Sequence, residues 1–234
     1  VGENLGTPEQ KVYTGTVGQL AASRFESLSV LLVEAAQVPS RRTQGLPDEA
    51  FARGKVPMTK QEVRAAVLAK LGVQPGELLW DVGAGTGSVS VELALAAPRG
   101  RVYAVECDPE ACALIRQNKE KFAVRNLTLV EGTAPAALEN LPAPDAVFIG
   151  GTKGNLAAVV EAALARNPAA RVCISAIALE TLSAAVAALT AHGLQAEVCQ
   201  ISVSRAKAAG KLHLLMANNP IFLITRADEA EKSV

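Results

Sequence analysis

The chain is poor in the residue types that build metal sites and disulfide frameworks. Its 234 residues include four cysteines and two histidines. The cysteines stand at positions 107, 112, 173 and 199, so no two of them form a C-x-x-C pair. This spacing argues against zinc and redox motifs. We therefore expect no metal site, and we expect free thiols in a reducing cytoplasm.

Aromatic residues, net charge and long apolar runs are scarce as well. The chain has five Phe, two Tyr and one Trp, and 23 basic residues balance 23 acidic ones. Nucleic-acid-binding proteins usually carry basic surfaces and stacking aromatics, so the composition argues against such a partner. No apolar run approaches the roughly 20 residues of a membrane span, and no signal-peptide pattern opens the chain. Hydrophobic residues nevertheless make up 50% of the sequence, which is enough for one full domain and an appendage.

Glycines cluster in one short segment that carries most of the functional information. An apolar run from Leu78 ends in the acid Asp81 and is followed by Gly83, Gly85 and Gly87. Glycine adopts positive φ readily and lets the backbone approach a ligand closely. A strand, a tight glycine turn and a helix N-terminus, in that order, form the cradle of nucleotide-binding folds.

Two further positions indicate which nucleotide is bound. The dinucleotide fingerprint G-x-G-x-x-G would need a glycine where Ser88 stands. The pattern D-x-G-x-G-x-G from Asp81 instead resembles the first motif of class I S-adenosylmethionine (SAM)-dependent methyltransferases. Glu106 ends the next apolar run, 19 positions after Gly87, where an acid can bind both ribose hydroxyls. A nicotinamide or flavin site, or a glycine turn without a ligand, is the weaker alternative.

The sequence divides into zones of different composition. Residues 1–38 contain a strand-like run at 28–33, residues 39–58 are rich in Pro, Gly, Arg and Asp and are typical of a linker, and residues 227–234 form a tail. Residues 59–226 alternate strand and helix signals, which predicts a parallel α/β sheet.

Within residues 59–226 the pattern predicts individual elements. Thr59 is expected to cap a helix, with Glu62 completing a capping box. The segment after the glycines alternates apolar residues like a strand, but we predict a helix because a parallel crossover needs one. The last two apolar runs have no helix between them and predict an antiparallel hairpin at the sheet edge. The predicted strands are 78–82, 101–106, 127–131, 145–149, 171–176, 195–203 and 212–225.

Two groups of residues are candidates for chemistry. Ligands bind at the carboxyl ends of parallel strands, which selects residues 81–87, Glu106, 132–134 and 150–152 as one crevice. The second group lies near the C-terminus, where residues 198–227 contain four cations and no acid. A hairpin that carries Arg and Lys suits a polycarboxylate, although a solvated loop explains the same charges. The candidate residues of this second group are Arg205, Lys207, Lys211, Arg226 and the neighbouring His213.

Five segments together resemble one family. They are Pro57–Met58–Thr59–Lys60, Asp81–Ser90, Val147–Phe148–Ile149–Gly150–Gly151, Val203–Ser204–Arg205–Ala206–Lys207 and His213–Leu214–Leu215–Met216. Over residues 55–226 the chain resembles the C-terminal half of the decarboxylating precorrin-6Y C5,15-methyltransferases of cobalamin biosynthesis. Residues 3–38 resemble the end of the tetrapyrrole methylase that forms the other half, and 45–51 resemble the junction. The resemblance therefore implies a remnant of a fused N-terminal methylase, whose main body and second activity are missing from this chain.

The resemblance implies a fold, a reaction and roles for particular residues. The fold is a Rossmann-like class I methyltransferase sheet of seven strands with an antiparallel C-terminal hairpin. The reaction is methylation of a precorrin at ring carbon 15, with SAM becoming S-adenosylhomocysteine, coupled to decarboxylation of the ring C acetate. The implied assembly is a cytoplasmic homo-oligomer, a tetramer in this family, without nucleic acid or membrane partners. The expected cofactor-binding residues are Thr59, Asp81, Gly83, Gly85, Thr86, Gly87, Glu106, Ala134 and Gly150. Arg205 and Lys207 are expected to bind substrate carboxylates, and His213 is expected to move a proton.

Other functions fit parts of the sequence. A class I methyltransferase acting on tRNA or protein shares the glycine motif, but Phe148–Gly151 stands where enzymes that methylate amino groups of nucleic acids often carry Asn/Asp-Pro-Pro-aromatic. An inactive SAM-binding scaffold would keep the same loops and convert no tetrapyrrole. A nicotinamide-dependent dehydrogenase is disfavoured by Ser88, and a comparison of SAM and NADH binding separates it.

Overall fold

In a computed structural model, which describes residues 1–34 and 44–227, the chain forms two compact units, Val1–Arg41 and Arg42–Val234. The first unit contains short antiparallel strands β1 (Gly2–Glu3), β2 (Lys11–Val12) and β3 (Ser29–Val30) and the single-turn helix α1 (Val17–Leu20). Only two residues of the predicted 28–33 run are therefore a strand. Residues 39–43 of the predicted linker and 228–234 of the predicted tail lie outside the described residues.

The second unit is a seven-stranded mixed sheet covered by helices. Its elements follow the strand–helix alternation expected from the sequence, and its strand order is β6-β5-β4-β7-β8-β12-β9. All neighbours from β6 to β8 are parallel, and β12 is antiparallel to both β8 and β9. The bounds are α2 Gln61–Leu71, β4 Leu78–Val82, α3 Ser88–Ala96, β5 Arg101–Glu106, α4 Pro109–Lys121, β6 Leu127–Glu131, β7 Ala146–Ile149, α5 Leu156–Arg166, β8 Arg171–Ala176, α6 Leu179–Ala191, β9 Ala196–Ile201, β10 Ser204–Ala209, β11 Leu212–Ala217 and β12 Ile221–Arg226.

Two hydrophobic clusters cover the two faces of this sheet. Helices α2, α3 and α4 contribute to one cluster, and α5 and α6 contribute to the other. Helix α3 is buried from Ser88 to Ala94. A helix enclosed on all sides needs no polar face, which explains why its sequence shows no helical periodicity. Among the described residues, no helix is both long and apolar enough to cross a bilayer.

The start of α2 differs from the prediction. The helix begins at Gln61, and its N-cap Lys60 makes no side-chain capping bond, so the Thr59 cap and the capping box with Glu62 are wrong. The backbone N–H of Gln61 donates instead to Asp48 Oδ1 at 2.9 Å. Because a carboxylate distant in sequence satisfies this N–H, the local capping motif is not needed.

The predicted C-terminal hairpin is correct in its pairing and wrong in its extent. Strands β9 and β12 pair antiparallel and close the sheet edge. The run 212–225 is nevertheless not one strand, since β11 leaves the sheet and pairs with β10 in a separate two-stranded sheet. Pro220 lies between β11 and β12, and a residue without an N–H donor interrupts a central strand. We call this separate pair of strands, β10 with β11, the hairpin, as distinct from the predicted pairing of 195–203 with 212–225.

Candidate active site

A cavity of about 840 Å³ opens at the carboxyl ends of the parallel strands β4 to β8. Its size lies within the range of about 300–1,000 Å³ that ligand pockets usually have. The four loops that the sequence selected all contribute to its wall. Besides these loops, its lining includes Val56–Lys60, Ile177, Ala178, Val203, Asn218 and Asn219.

The glycine loop packs against two other backbone segments. Gly83 has φ +71, and a Cβ there would lie 2.2 Å from the carbonyl oxygen of Gly151. Gly85 has φ +56, and a Cβ there would lie 3.2 Å from the carbonyl oxygen of Pro57. Only glycine fits the first position, and the second position is strained for any other residue. The loop therefore leaves its backbone bare beside the cavity, as a nucleotide cradle requires.

Glu106 is fixed by three backbone donors at the cavity wall. Its Oε2 accepts the N–H of Gly85 at 2.8 Å. Its Oε1 accepts the N–H groups of Cys107 and Asp108 at 2.8 and 2.9 Å. Glu106 as a whole residue is 8% exposed, and it lines the cavity. A carboxylate has about four acceptor sites, and three are used here, so Oε2 keeps one site for a ligand hydroxyl.

Two buried polar atoms near the loop lack partners among the described residues. Asp81 is fully buried, its Oδ2 accepts the hydroxyl of Ser90, and its Oδ1 has no partner. The pKa of Asp81 is raised to about 7: burial raises it most, the hydrogen bond from Ser90 opposes the rise, and the nearby charge of Glu106 adds to it. Thr86 Oγ1 is also without a partner, and Thr86 lines the cavity. Unsatisfied buried groups of this kind suggest that a ligand or water completes the site.

The predicted cofactor residues fall into two groups. Those that line the cavity are Thr59, Gly83, Gly85, Thr86, Glu106, Ala134 and Gly150. Asp81 and Gly87 lie behind this surface. Gly87, with φ +74, precedes α3, and a Cβ there would lie 3.0 Å from Cγ1 of Ile115. Its role in the structure is close packing of the loop against α4.

The three predicted substrate residues do not line the cavity or share one face. They lie on the hairpin, where Lys207 pairs with Leu214 and His213 pairs with Ala208. Since side chains alternate along a strand, Arg205 and Lys207 point to one face and His213 points to the other. Arg205 is already paired with Asp48 and Glu62. The structure therefore does not bring the three together.

Sequence reasoning missed several polar residues of the cavity wall. Among the described residues, Lys60 and Lys153 are the lysines of this wall, and Ser175, Asn218 and Asn219 are further polar groups. A hydrogen bond to the Cys107 thiol raises the pKa of Lys153. The Pro-Met-Thr-Lys motif pointed to Lys60, but no local pattern indicates that residues 218–219 reach the same cavity as the glycine loop.

Comparisons with known proteins agree with one another. The model of the precorrin methyltransferase domain family matches residues 49–226. A Pyrobaculum calidifontis protein named probable cobalt-precorrin-6B C(15)-methyltransferase (decarboxylating) is 47% identical over 186 residues, which cover 78% of this chain and 95% of that protein. A Sinorhizobium precorrin-6Y C(5,15)-methyltransferase (decarboxylating) is 41% identical over 165 residues, 69% of this chain and 40% of that protein.

A solved structure extends the agreement to the fold. The precorrin-6Y C5,15-methyltransferase structure from Geobacter metallireducens superposes with a TM-score of 0.75 at 40% identity. The match covers 79% of this chain and 98% of that one. The expected Rossmann-like methyltransferase sheet is thereby confirmed.

Proposed function

The chain belongs to the precorrin methyltransferase family, and we propose that it methylates a precorrin at ring carbon 15 and decarboxylates the ring C acetate in cobalamin biosynthesis. The observation that carries this proposal is that the residues matched by the family model are also the residues that form the cavity. The residues matched by the family model include the glycine loop, Glu106 and the whole cavity wall. The names of relatives at 41–47% identity support the coupling of methylation to decarboxylation.

The cavity wall fits SAM as the methyl donor. The bare backbone at Gly83 and Gly85, the unpartnered hydroxyl of Thr86 and the carboxylate of Glu106 are the features that a nucleoside with a cationic sulfonium requires. We assign the ribose hydroxyls to Glu106 and the adenine to the loop at Ala134. When bound, SAM supplies a methyl group already activated by its positive sulfur. Thr59 covers the site from the N-terminal side, and Gly150 leaves room for the acceptor.

The protein contributes mainly alignment and exclusion of water. Methyl transfer from an activated donor needs the acceptor carbon held in line, which is the task of the cavity walls. Precorrins carry several carboxylates, and Lys60 and Lys153 are cations positioned on the wall to receive them. The conjugated macrocycle can itself accept the electrons released on decarboxylation, so the protein orients the acetate and manages one proton. Roles for Lys207 and His213 toward carboxylate and proton remain predictions.

The assembly around this activity is also a proposal. Large apolar side chains are exposed on both faces of the hairpin, among them Leu214 and Leu215, which are 52% and 75% exposed. An isolated two-stranded sheet is marginally stable, so these faces support a homo-oligomer, a tetramer in our proposal. The Sinorhizobium relative, of which this match covers 40%, supports fusion to an N-terminal methylase in the full protein. Four free cysteines among the described residues support a cytoplasmic location.

Release of S-adenosylhomocysteine tests this function against its alternatives. The purified chain is incubated with SAM and, in parallel, with precorrin-6B, cobalt-precorrin-6B, bulk tRNA or no acceptor. We expect release that depends on one of the two tetrapyrroles and not on tRNA. Release with tRNA alone would contradict the proposal, and SAM binding without release would indicate a scaffold. Binding of NADH in place of SAM would exclude methyl transfer.

A further inference from the structure

A chain of alternating carboxylates and guanidinium groups crosses the domain next to the cavity. The order is Glu92, Arg64, Asp48, Arg205 and Glu62, and we call it the ionic chain. Arg64 Nε lies 2.8 Å from Glu92 Oε1, and Arg64 Nη1 lies 2.9 Å from Asp48 Oδ1. Arg205 Nη1 lies 3.0 Å from Asp48 Oδ2, and Arg205 Nη2 lies 2.6 Å from Glu62 Oε2. Asp48 is thus shared between one fully buried and one half-exposed arginine.

The middle of the ionic chain holds a segment of the cavity wall through Arg64 and Asp48. We call Val56–Lys60, which lines the cavity, the cover segment. Arg64 Nη1 donates to the carbonyl oxygen of Thr59 at 2.5 Å, and Asp48 Oδ1 accepts the N–H of Gln61 next to Lys60. Through Pro57 the cover segment also approaches Gly85 of the glycine loop. Asp48 and Arg64 together therefore fix where the cover segment lies against the cofactor loop.

The Arg205–Glu62 end of the ionic chain holds the hairpin. Arg205 lies on β10, and its ion pairs reach the residues before and at the start of α2. Most of the hairpin is exposed, so these bonds are a principal restraint on its position. Val203 and Asn218 stand at the base of the hairpin, line the cavity and are joined by a 3.0 Å backbone hydrogen bond. The hairpin base and the cover segment are consequently two cavity walls linked through Asp48.

The charge of Arg205 stabilises the buried carboxylate of Asp48. Burial disfavours the ionised form of Asp48, yet hydrogen bonds from Arg64 and Arg205 outweigh it and hold the pKa of that carboxyl below its usual range. Removing the Arg205 charge leaves a buried carboxylate with Arg64 as its one cation. Because Arg64 also holds Glu92 and the carbonyl of Thr59, a change at Arg205 is felt at the cover segment.

We infer that Asp48 and Arg205 are positioning residues that couple the hairpin to the cover segment, so that Arg205 strengthens cofactor binding without touching the cofactor. This inference rests on the proposed function only in naming SAM as the cofactor. It assigns Arg205 a role different from the substrate contact that its sequence predicted. A substrate contact would change the affinity for tetrapyrrole alone, whereas a coupling residue changes the affinity for SAM when no tetrapyrrole is present.

The test compares Arg205→Gln with Lys207→Gln, which removes the same charge from the same face of the hairpin. Calorimetry without tetrapyrrole measures the Kd for SAM. We expect Arg205→Gln to weaken SAM binding by about tenfold, within the usual range of coupling between sites. Lys207→Gln should leave it unchanged, and Arg205→Lys should restore part of the loss. Asp48 and Arg205 are neighbours in the ionic chain, so their effects should not add. The double variant Asp48→Asn/Arg205→Gln should therefore weaken SAM binding no more than Asp48→Asn alone.

Hydrogen exchange provides a readout that does not depend on the cofactor. In the ligand-free protein, Arg205→Gln should raise the exchange rates of backbone amides in the cover segment, and Lys207→Gln should not. Unchanged exchange in the cover segment of Arg205→Gln would overturn the inference, whether or not the wild-type protein binds SAM. Failure of the wild-type protein to bind SAM would contradict the proposed function and would leave the exchange test valid. An unchanged Kd for SAM in Arg205→Gln, with a higher KM for tetrapyrrole, would return Arg205 to the substrate site.

Discussion

The protonation of Asp81 makes the stability of this domain depend on pH in a direction unusual for a carboxylate. Burial, the charge of Glu106 and the opposing bond from Ser90 together raise the pKa of Asp81 from an ordinary value of 3.8 to about 7. The folded state therefore keeps a proton that the unfolded state releases. Between these two pKa values the unfolded chain binds fewer protons, so stability falls as pH rises.

The size of the effect follows from the two pKa values. A difference of about three pH units corresponds to about 4 kcal/mol of unfolding free energy over the whole window. About 3 kcal/mol of this should be lost between about pH 5 and about pH 8. Asp81→Asn keeps an acceptor for the Ser90 hydroxyl and cannot ionise. The variant should therefore lack this loss, and its stability relative to wild type should rise with pH.

Urea unfolding of both proteins across this pH range measures the difference. Ser90→Ala serves as a second perturbation, because it removes the hydrogen bond that lowers the pKa of Asp81. That variant should continue to lose stability at higher pH than wild type does. Parallel pH profiles for wild type and Asp81→Asn would refute the reasoning, since they would mean that Asp81 has the same pKa in both states.

Three further substitutions test the site and its support. Glu106→Gln places an N–H₂ group against backbone N–H donors, so it should weaken SAM binding by about tenfold to a hundredfold in calorimetry. An unchanged Kd for SAM would contradict the assignment of the ribose hydroxyls to Glu106. Gly83→Ala should lower the midpoint of urea unfolding or prevent folding, because its Cβ has no space, whereas Gly76→Ala, with nothing within 4 Å, should be nearly neutral. Arg64→Met leaves the carboxylate of Glu92 buried without its cation and leaves Asp48 with Arg205 alone. It should cost about 3–5 kcal/mol in urea unfolding, and a loss below about 1 kcal/mol would argue against the buried network.

The sequence predicted the central sheet well because its signals are local there. Strands β4 and β5 are short apolar runs bounded by turn residues, and their predicted bounds agree with the structure. Helix α4 begins at Pro109, as its fixed φ and missing N–H suggest. Helix α3 was predicted from topology against its own residue pattern, and the structure confirms it.

The remaining features depend on contacts between residues distant in sequence. Asp48 meets Arg205 across 157 positions and Arg64 across 16, and nothing in either local pattern indicates the partner. The same applies to the start of α2, where Asp48 replaces the local cap predicted at Thr59. The position of His213 on the opposite face from Lys207 follows from the register of the hairpin, which the apolar run alone did not specify.

The most direct test of the central claim is mass spectrometry of the tetrapyrrole after incubation with the purified chain and SAM labelled in its methyl group. With precorrin-6B or its cobalt form, we expect a product that has gained one labelled methyl and lost one carbon dioxide. Gain of the methyl without that loss would contradict the coupled decarboxylation and leave the transfer intact. Recovery of both tetrapyrroles unchanged, from a protein that binds SAM, would contradict the proposed function.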